Sequence, residues 1–241
     1  MTNYRVDTLE LGTFTTESGE TINNLKLRYE HVGYKGQPLV VVCHALTGNH
    51  LTYGTDEKHG WWREIIDGGY IPRHDYQFLT FNVIGSPFGS SSKLNDLNFP
   101  QHLTLRDIVK AIEKGIKALG FKKVNILIGA SLGGMQAMEL LYNNQFQIDK
   151  AIILAATGKT SSYSRAFNEI ARQAIHLGGK EGLSIARQLG FLTYRSSKSY
   201  DQRFTPDEVV TYQQYQGNKF KKNFDLQCYL TVSYTHLRAH E

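Results

Sequence analysis

Gly129-Ala130-Ser131-Leu132-Gly133-Gly134 follows directly on Val124-Asn125-Ile126-Leu127-Ile128 and leads directly into the segment Gly133–Tyr142. The first flank is a short run of β-branched and aliphatic residues, the pattern of a strand buried on both faces. The second flank reads as a helix. A serine on a tight strand-to-helix turn, with a glycine two residues away on either side, is a nucleophile elbow. Such a turn strains the backbone at Ser131 and presents its hydroxyl at the sheet's edge, over the positive end of the helix. The backbone N–H of Leu132 then points where an oxyanion would develop.

Outward from this turn, Leu39-Val40-Val41-Val42-Cys43, Phe78–Val83 and Ala151-Ile152-Ile153-Leu154 read as further buried strands. Trp61–Ile66 reads as a short helix. Leu105–Leu119 reads as a longer one, with Thr104 as its cap and Gly120 as its stop. Asp7–Phe14 and Leu25–His31 read as antiparallel strands joined through Ser18 and Gly19. Alternation of strands and helices predicts an α/β class with a mostly parallel, doubly wound sheet over residues 1–160. From Ser161 the strand signal stops. Phe167–Leu177, Leu183–Leu189 and Glu208–Tyr215 predict a helical cap, residues 161–231, over the strands' carboxyl ends. Residues 232–241 carry no clear apolar face and read as a tail foreign to the fold. A sheet whose last strand is Ala151–Leu154 would keep an unpaired apolar edge, so the last strands are expected to be missing.

The 241 residues are 41% hydrophobic and 20% charged, an ordinary balance for a globular protein. No run approaches the roughly 20 apolar residues of a membrane span. Arg5, Asp7 and Glu10 argue against a signal peptide, so a cytoplasmic location is expected. The net charge of +5 comes from basic residues interleaved with acids. With no single basic stripe, nucleic acid is not an expected partner, and an anionic small substrate suits the charge better. Cys43 and Cys228 form neither a disulfide framework nor a metal cluster. No metal is expected.

His44-Ala45-Leu46-Thr47-Gly48-Asn49 follows the strand Leu39–Cys43, where an elbow fold places its second oxyanion donor. The backbone N–H of Leu46 is the candidate. A triad histidine in this fold comes after the nucleophile in chain order, so His44 is read as shaping the loop. His236 and His240 do follow Ser131, yet no acid stands beside them in a strand-loop context. Asp149, Asp201, Asp207 and Asp225 match a triad acid poorly.

The chain resembles the homoserine O-acetyltransferase family of α/β-hydrolase-fold enzymes. The likeness is carried by His44–Asn49, Gly60-Trp61-Trp62, Asn82-Val83-Ile84-Gly85 and Gly129 to Gln136. In the cap it continues through Phe167-Asn168, Arg172-Gln173-Ala174-Ile175, Gly182-Leu183 with Ala186-Arg187, and Leu192 to Ser196. It ends with Tyr215-Gln216-Gly217, Lys219-Phe220, Phe224-Asp225 and Tyr229-Leu230. The resemblance implies transfer of an acetyl group from acetyl-CoA to the hydroxyl of homoserine through an acyl-Ser131, in methionine biosynthesis. It implies acetyl-CoA as co-substrate, no resident cofactor, and a homodimer formed through the cap helices. It also implies a chain truncated near Thr231, without the triad's acid and histidine and so inactive as it stands. The loop Gly85–Ser92 departs from the commoner Gly-Gly-Cys version of the family. Arg172 is a candidate for the substrate carboxylate, because a guanidinium pairs with it bidentately; an interhelix salt bridge is the competing role. Tyr194 is a candidate pocket residue or a support of the cap. Open alternatives are a carboxylesterase of the same fold, a succinyl donor, a serine acceptor, and a binding protein without catalysis.

Overall fold

The computed structural model describes residues 3–238. Six strands form its central sheet: β1 (Tyr4–Glu10), β4 (Lys26–Val32), β5 (Leu39–Cys43), β6 (Gln77–Phe81), β7 (Lys123–Ala130) and β8 (Gln147–Leu154). A separate hairpin of β2 (Phe14–Thr15) and β3 (Thr21–Ile22) carries the Ser18-Gly19 turn. The sheet order is β1-β4-β6-β5-β7-β8. β1, β4 and β6 pair antiparallel, whereas β6, β5, β7 and β8 are parallel. The sheet is therefore mixed at one end and doubly wound over the rest.

All five residues of β5 are buried, as the run of three valines demands. Each such side chain removed from water contributes about 1.5–3 kcal/mol. Three helices cross between these strands: α1 (Arg63–Asp67), α2 (Leu105–Ala118) and α3 (Leu132–Asn143). α2 turns Leu105, Ile108, Ile112 and Ile116 into the core. Thr104 caps it, with Asp107 returning the bond in a capping box. The register between β5 and β7 pairs Cys43 with Gly129. Both strands thus end level, and the loop after one lies beside the elbow after the other.

The cap consists of α4 (Ser162–Thr193), α5 (Ser197–Arg203), α6 (Pro206–Asn223) and α7 (Leu226–Arg238). α4 bends at Gly179 (φ 53°, ψ −122°), which divides it near the gap expected between Leu177 and Leu183. Ala171, Ile175, Leu183, Phe220, Phe224 and Tyr229 form the cap's own core, onto which Leu46 and Phe88 pack from the sheet domain.

The sequence reading requires correction at the far end of the chain. The expected boundary between residues 231 and 232 falls inside α7, and Thr231, Val232 and Ser233 are buried. α7 sits between two cores: Cys228 and Tyr229 belong to the cap's, and Val232 to the sheet domain's. A helix covered on two sides shows no single apolar stripe, so its pattern looked featureless. The side chain of His236, and all of His240, lie outside the described residues.

Candidate active site

Ser131 has φ 55° and ψ −124°, a backbone that non-glycine residues adopt only under strain. Three backbone bonds hold it there. Its N–H donates to the Leu154 carbonyl at 3.0 Å, and its carbonyl accepts from the N–H groups of Gly134 and Met135 at 2.9 and 3.1 Å. The flanking glycines are needed for close approach. A β-carbon on Gly129 would lie 2.0 Å from the carbonyl oxygen of Gly133, and one on Gly133 2.0 Å from that of Cys43. No side chain fits at either place. Ser131 is exposed, and no described histidine or carboxylate bonds its hydroxyl.

Leu132 is the first residue of α3, so no preceding helical turn supplies an acceptor for its N–H. The loop carrying Leu46 is locked against α3. His44 is completely buried; its Nε2 accepts from the Val83 N–H at 3.1 Å, which leaves the proton on Nδ1 to donate to the Ala45 carbonyl at 2.7 Å. Both ring nitrogens are committed. Burial holds the imidazole neutral and lowers its pKa to about 4. His44 thus shapes the loop and has no nitrogen left for proton transfer with Ser131. Gln136 of α3 donates to the His44 carbonyl at 3.2 Å and closes the contact from the other side. Trp61 donates its indole N–H to the Asn49 carbonyl at 3.0 Å, and Trp62 packs into the sheet's second apolar cluster. Burial pushes the Cys43 thiol up to about 12, which leaves it inert at neutral pH.

Arg172 spans α4 and α7: its Nη1 donates to the Leu230 carbonyl at 2.9 Å and lies 3.2 Å from the Ser233 hydroxyl. Tyr194 caps the end of α4 and is mostly exposed. A guanidinium that reaches the loop bearing Leu46 belongs to Arg187, a residue the sequence reading did not select. Its Nη1 stands 3.4 Å from the Thr47 hydroxyl and 3.4 Å from the Tyr194 hydroxyl, and its carbon lies 4.5 and 5.0 Å from the ring centres of Phe191 and Phe220. The only hint in sequence was its place in the stretch Gly182 to Arg187 shared with the family. Tyr229 lies among these groups. Burial and Tyr194 push its hydroxyl up to about 12 against the opposing influence of Arg187 and Arg172. Among the described residues, no group of three or more His, Cys, Asp or Glu stands close enough to hold a metal ion.

Comparison with known proteins fits this geometry. Residues 38–177 match the family model of the alpha/beta hydrolase fold. A homoserine O-acetyltransferase from Methanobrevibacter ruminantium is 32% identical over 97% of this chain, which spans 58% of that protein's length. One from Citrifermentans bemidjiense is 33% identical over 96% of the chain, which covers 75% of it. The crystal structure of homoserine O-acetyltransferase from Staphylococcus aureus superposes with a TM-score of 0.95 at 81% identity, over 99% of this chain and 73% of that one. The strained serine, its flanking glycines and the loop level with it are thus those of an α/β hydrolase, and the chain belongs to the homoserine O-acetyltransferase family.

Proposed function

We propose that this chain carries the nucleophile and the oxyanion donors of an acyltransferase that moves an acetyl group from acetyl-CoA to the hydroxyl of L-homoserine, in methionine biosynthesis. The observation that carries the proposal is an exposed, strained Ser131 level with the loop that bears Leu46. Once a base accepts its proton, the Ser131 oxygen attacks the thioester carbon. The N–H groups of Leu46 and Leu132 hold the negative charge, each such donor lowering the barrier by about 3 kcal/mol. The intermediate collapses with loss of CoA thiolate, which takes up the proton. The acceptor hydroxyl then attacks the acyl-serine, regenerating the Ser131 hydroxyl. Arg187, beside Thr47, takes the acceptor's carboxylate, while Arg172 and Tyr194 complete that wall of the pocket. No resident cofactor is required.

Several features support the wider setting. No helix among the described residues is long and apolar enough to cross a membrane, in keeping with a cytoplasmic enzyme. Tyr163, Ile170 and Leu177 stand exposed at seven-residue intervals along α4, in keeping with a homodimer through the cap.

With no described histidine or acid on Ser131, the 241-residue chain is expected to transfer acetyl groups slowly, since such partners supply most of the rate. The test is a chimera in which this chain is joined to the part of the Staphylococcus aureus enzyme that it does not cover. Homoserine-dependent release of CoA, abolished by Ser131→Ala, is expected. Equal release with no acceptor present would instead point to an esterase or thioesterase, and release with the serine removed would sink the assignment altogether.

A further inference from the structure

The loop that carries Leu46 is pinned at both ends by buried side chains. His44 fixes its start through the two bonds described above. Its far end is held by Glu30, a carboxylate in the middle of β4 with only 1% of its surface exposed. Oε2 of Glu30 accepts from the N–H groups of Thr52 and Tyr53 at 2.7 and 2.8 Å, and Oε1 accepts from that of Gly54 at 2.8 Å. The Tyr4 hydroxyl supplies a further bond. Three successive backbone amides turned onto one carboxylate form a nest, a concavity suited to an anion. A buried carboxylate costs several kcal/mol unless its lone pairs are filled in this way, so the segment Thr52–Gly54 has little freedom to move.

Between the two anchors lie only residues 45–51, and these too are tied. Gly48 N–H donates to the Ala45 carbonyl, Leu51 N–H to Asn49 Oδ1, and Trp61 Nε1 to the Asn49 carbonyl. Beyond the anchor, Gly60 and Trp62 donate to the carbonyls of Tyr53 and Thr52.

We infer that Glu30 is a positioning residue for the oxyanion loop: by gathering the amides of Thr52, Tyr53 and Gly54 it sets where the Leu46 N–H stands relative to Ser131. The inference rests on the reading of Leu46 as an oxyanion donor. Glu30 touches no substrate and acts entirely through the loop.

Exchange is measured on the 241-residue chain, and labelling on the chimera described above, whose added segment is expected to supply Ser131 with its base. In the unmodified protein, amide hydrogen exchange at Thr52, Tyr53 and Gly54 is expected to be as slow as in β5; exchange as fast as in an open loop overturns the inference without any variant. Glu30→Gln keeps the shape but turns an NH2 group toward one of the three amides. Exchange over residues 45–54 is then expected to accelerate by roughly 10-fold or more, with β5 and β7 unchanged. In the chimera, phosphorylation of Ser131 by diisopropyl fluorophosphate, with loss of fluoride and followed by mass spectrometry, should fall roughly 10-fold to 100-fold in maximal rate with little change in half-saturating concentration. Tyr4→Phe, which removes only the hydroxyl donor, should leave loop exchange and labelling as they were. Unchanged exchange and labelling in Glu30→Gln refute the role. If Ser131 resists the reagent in the otherwise unmodified chimera while loop exchange still responds to Glu30→Gln, the oxyanion reading fails and the anchoring stands.

Discussion

β7 and β8 lie side by side in parallel register, and both are largely aliphatic. Leu127 of β7 sits opposite Ala151 of β8, and Ile128 opposite Ile152. Their surroundings nonetheless differ. Leu127 and Ile128 are 1% and 3% exposed, whereas Ile152, Ile153 and Leu154 are 39%, 37% and 46% exposed. β7 has β5 on its other side, while β8 ends the sheet. Local pattern therefore specified strand formation in both, whereas burial followed only for the strand with a neighbour on each side. The edge strand still serves the site, because the Leu154 carbonyl at its tip accepts the Ser131 N–H.

The largest expected effect is at the interior strand. Leu127→Ala should destabilise the chain by about 2–5 kcal/mol in denaturant unfolding, since the site is enclosed and cannot collapse. A loss under about 1 kcal/mol would mean that β7 is no better packed than its neighbour.

A second effect tests the polar end of the interior. His44 follows the buried strand β5 and is neutral, its pKa lowered by burial to about 4 against 6.5 for the free side chain. A lowered histidine pKa gives stability that is complete above pH 6.5 and lost as pH falls toward 4, because the unfolded chain takes up the proton first. The slope is about 1.4 kcal/mol per pH unit. His50, lowered to about 3 by burial and by the nearby Arg28, acts in the same direction. Melting temperatures between pH 6.5 and 4 should fall steeply for the unmodified chain and less steeply for His44→Gln. Parallel curves would show that His44 is not held neutral.

The smallest effect belongs to the edge. Ile152→Lys should change stability by no more than about 0.5 kcal/mol while reducing self-association in light scattering, because a lysine on an open strand edge discourages pairing with another chain. A large loss of stability would show that the edge is covered in solution.

Most of the sheet domain was legible in sequence. The valine run of β5, the spacing of Leu105 to Ile116 with its Thr104 cap, and the elbow itself all follow from short-range rules, with boundaries shifted by a few residues. The cap was legible in part. Periodicity was readable within α4 and α6 only over Phe167–Leu177, Leu183–Leu189 and Glu208–Tyr215, whereas α5 is too short to show any and α7, covered on two sides, has no single apolar stripe. Of the proposed site, Ser131, Leu46 and Leu132 could be chosen as candidates because each occupies a fixed place relative to a strand end. Glu30 and Arg187 could not be chosen. A carboxylate in a strand and an arginine on a helix acquire meaning only from partners more than twenty and more than a hundred residues away.

The order of residues thus determined by itself where the chain must bend sharply, since the close approaches at Gly129 and Gly133 admit no side chain and the strand and helix on either side are written in adjacent residues. What only the tertiary structure decided is which of two similar strands is enclosed, which arginine reaches the loop bearing Leu46, and that a carboxylate on β4 gathers the amides of Thr52, Tyr53 and Gly54. Burial and electrostatic pairing depend on neighbours brought together by folding, and the spacing of residues along the chain does not record them.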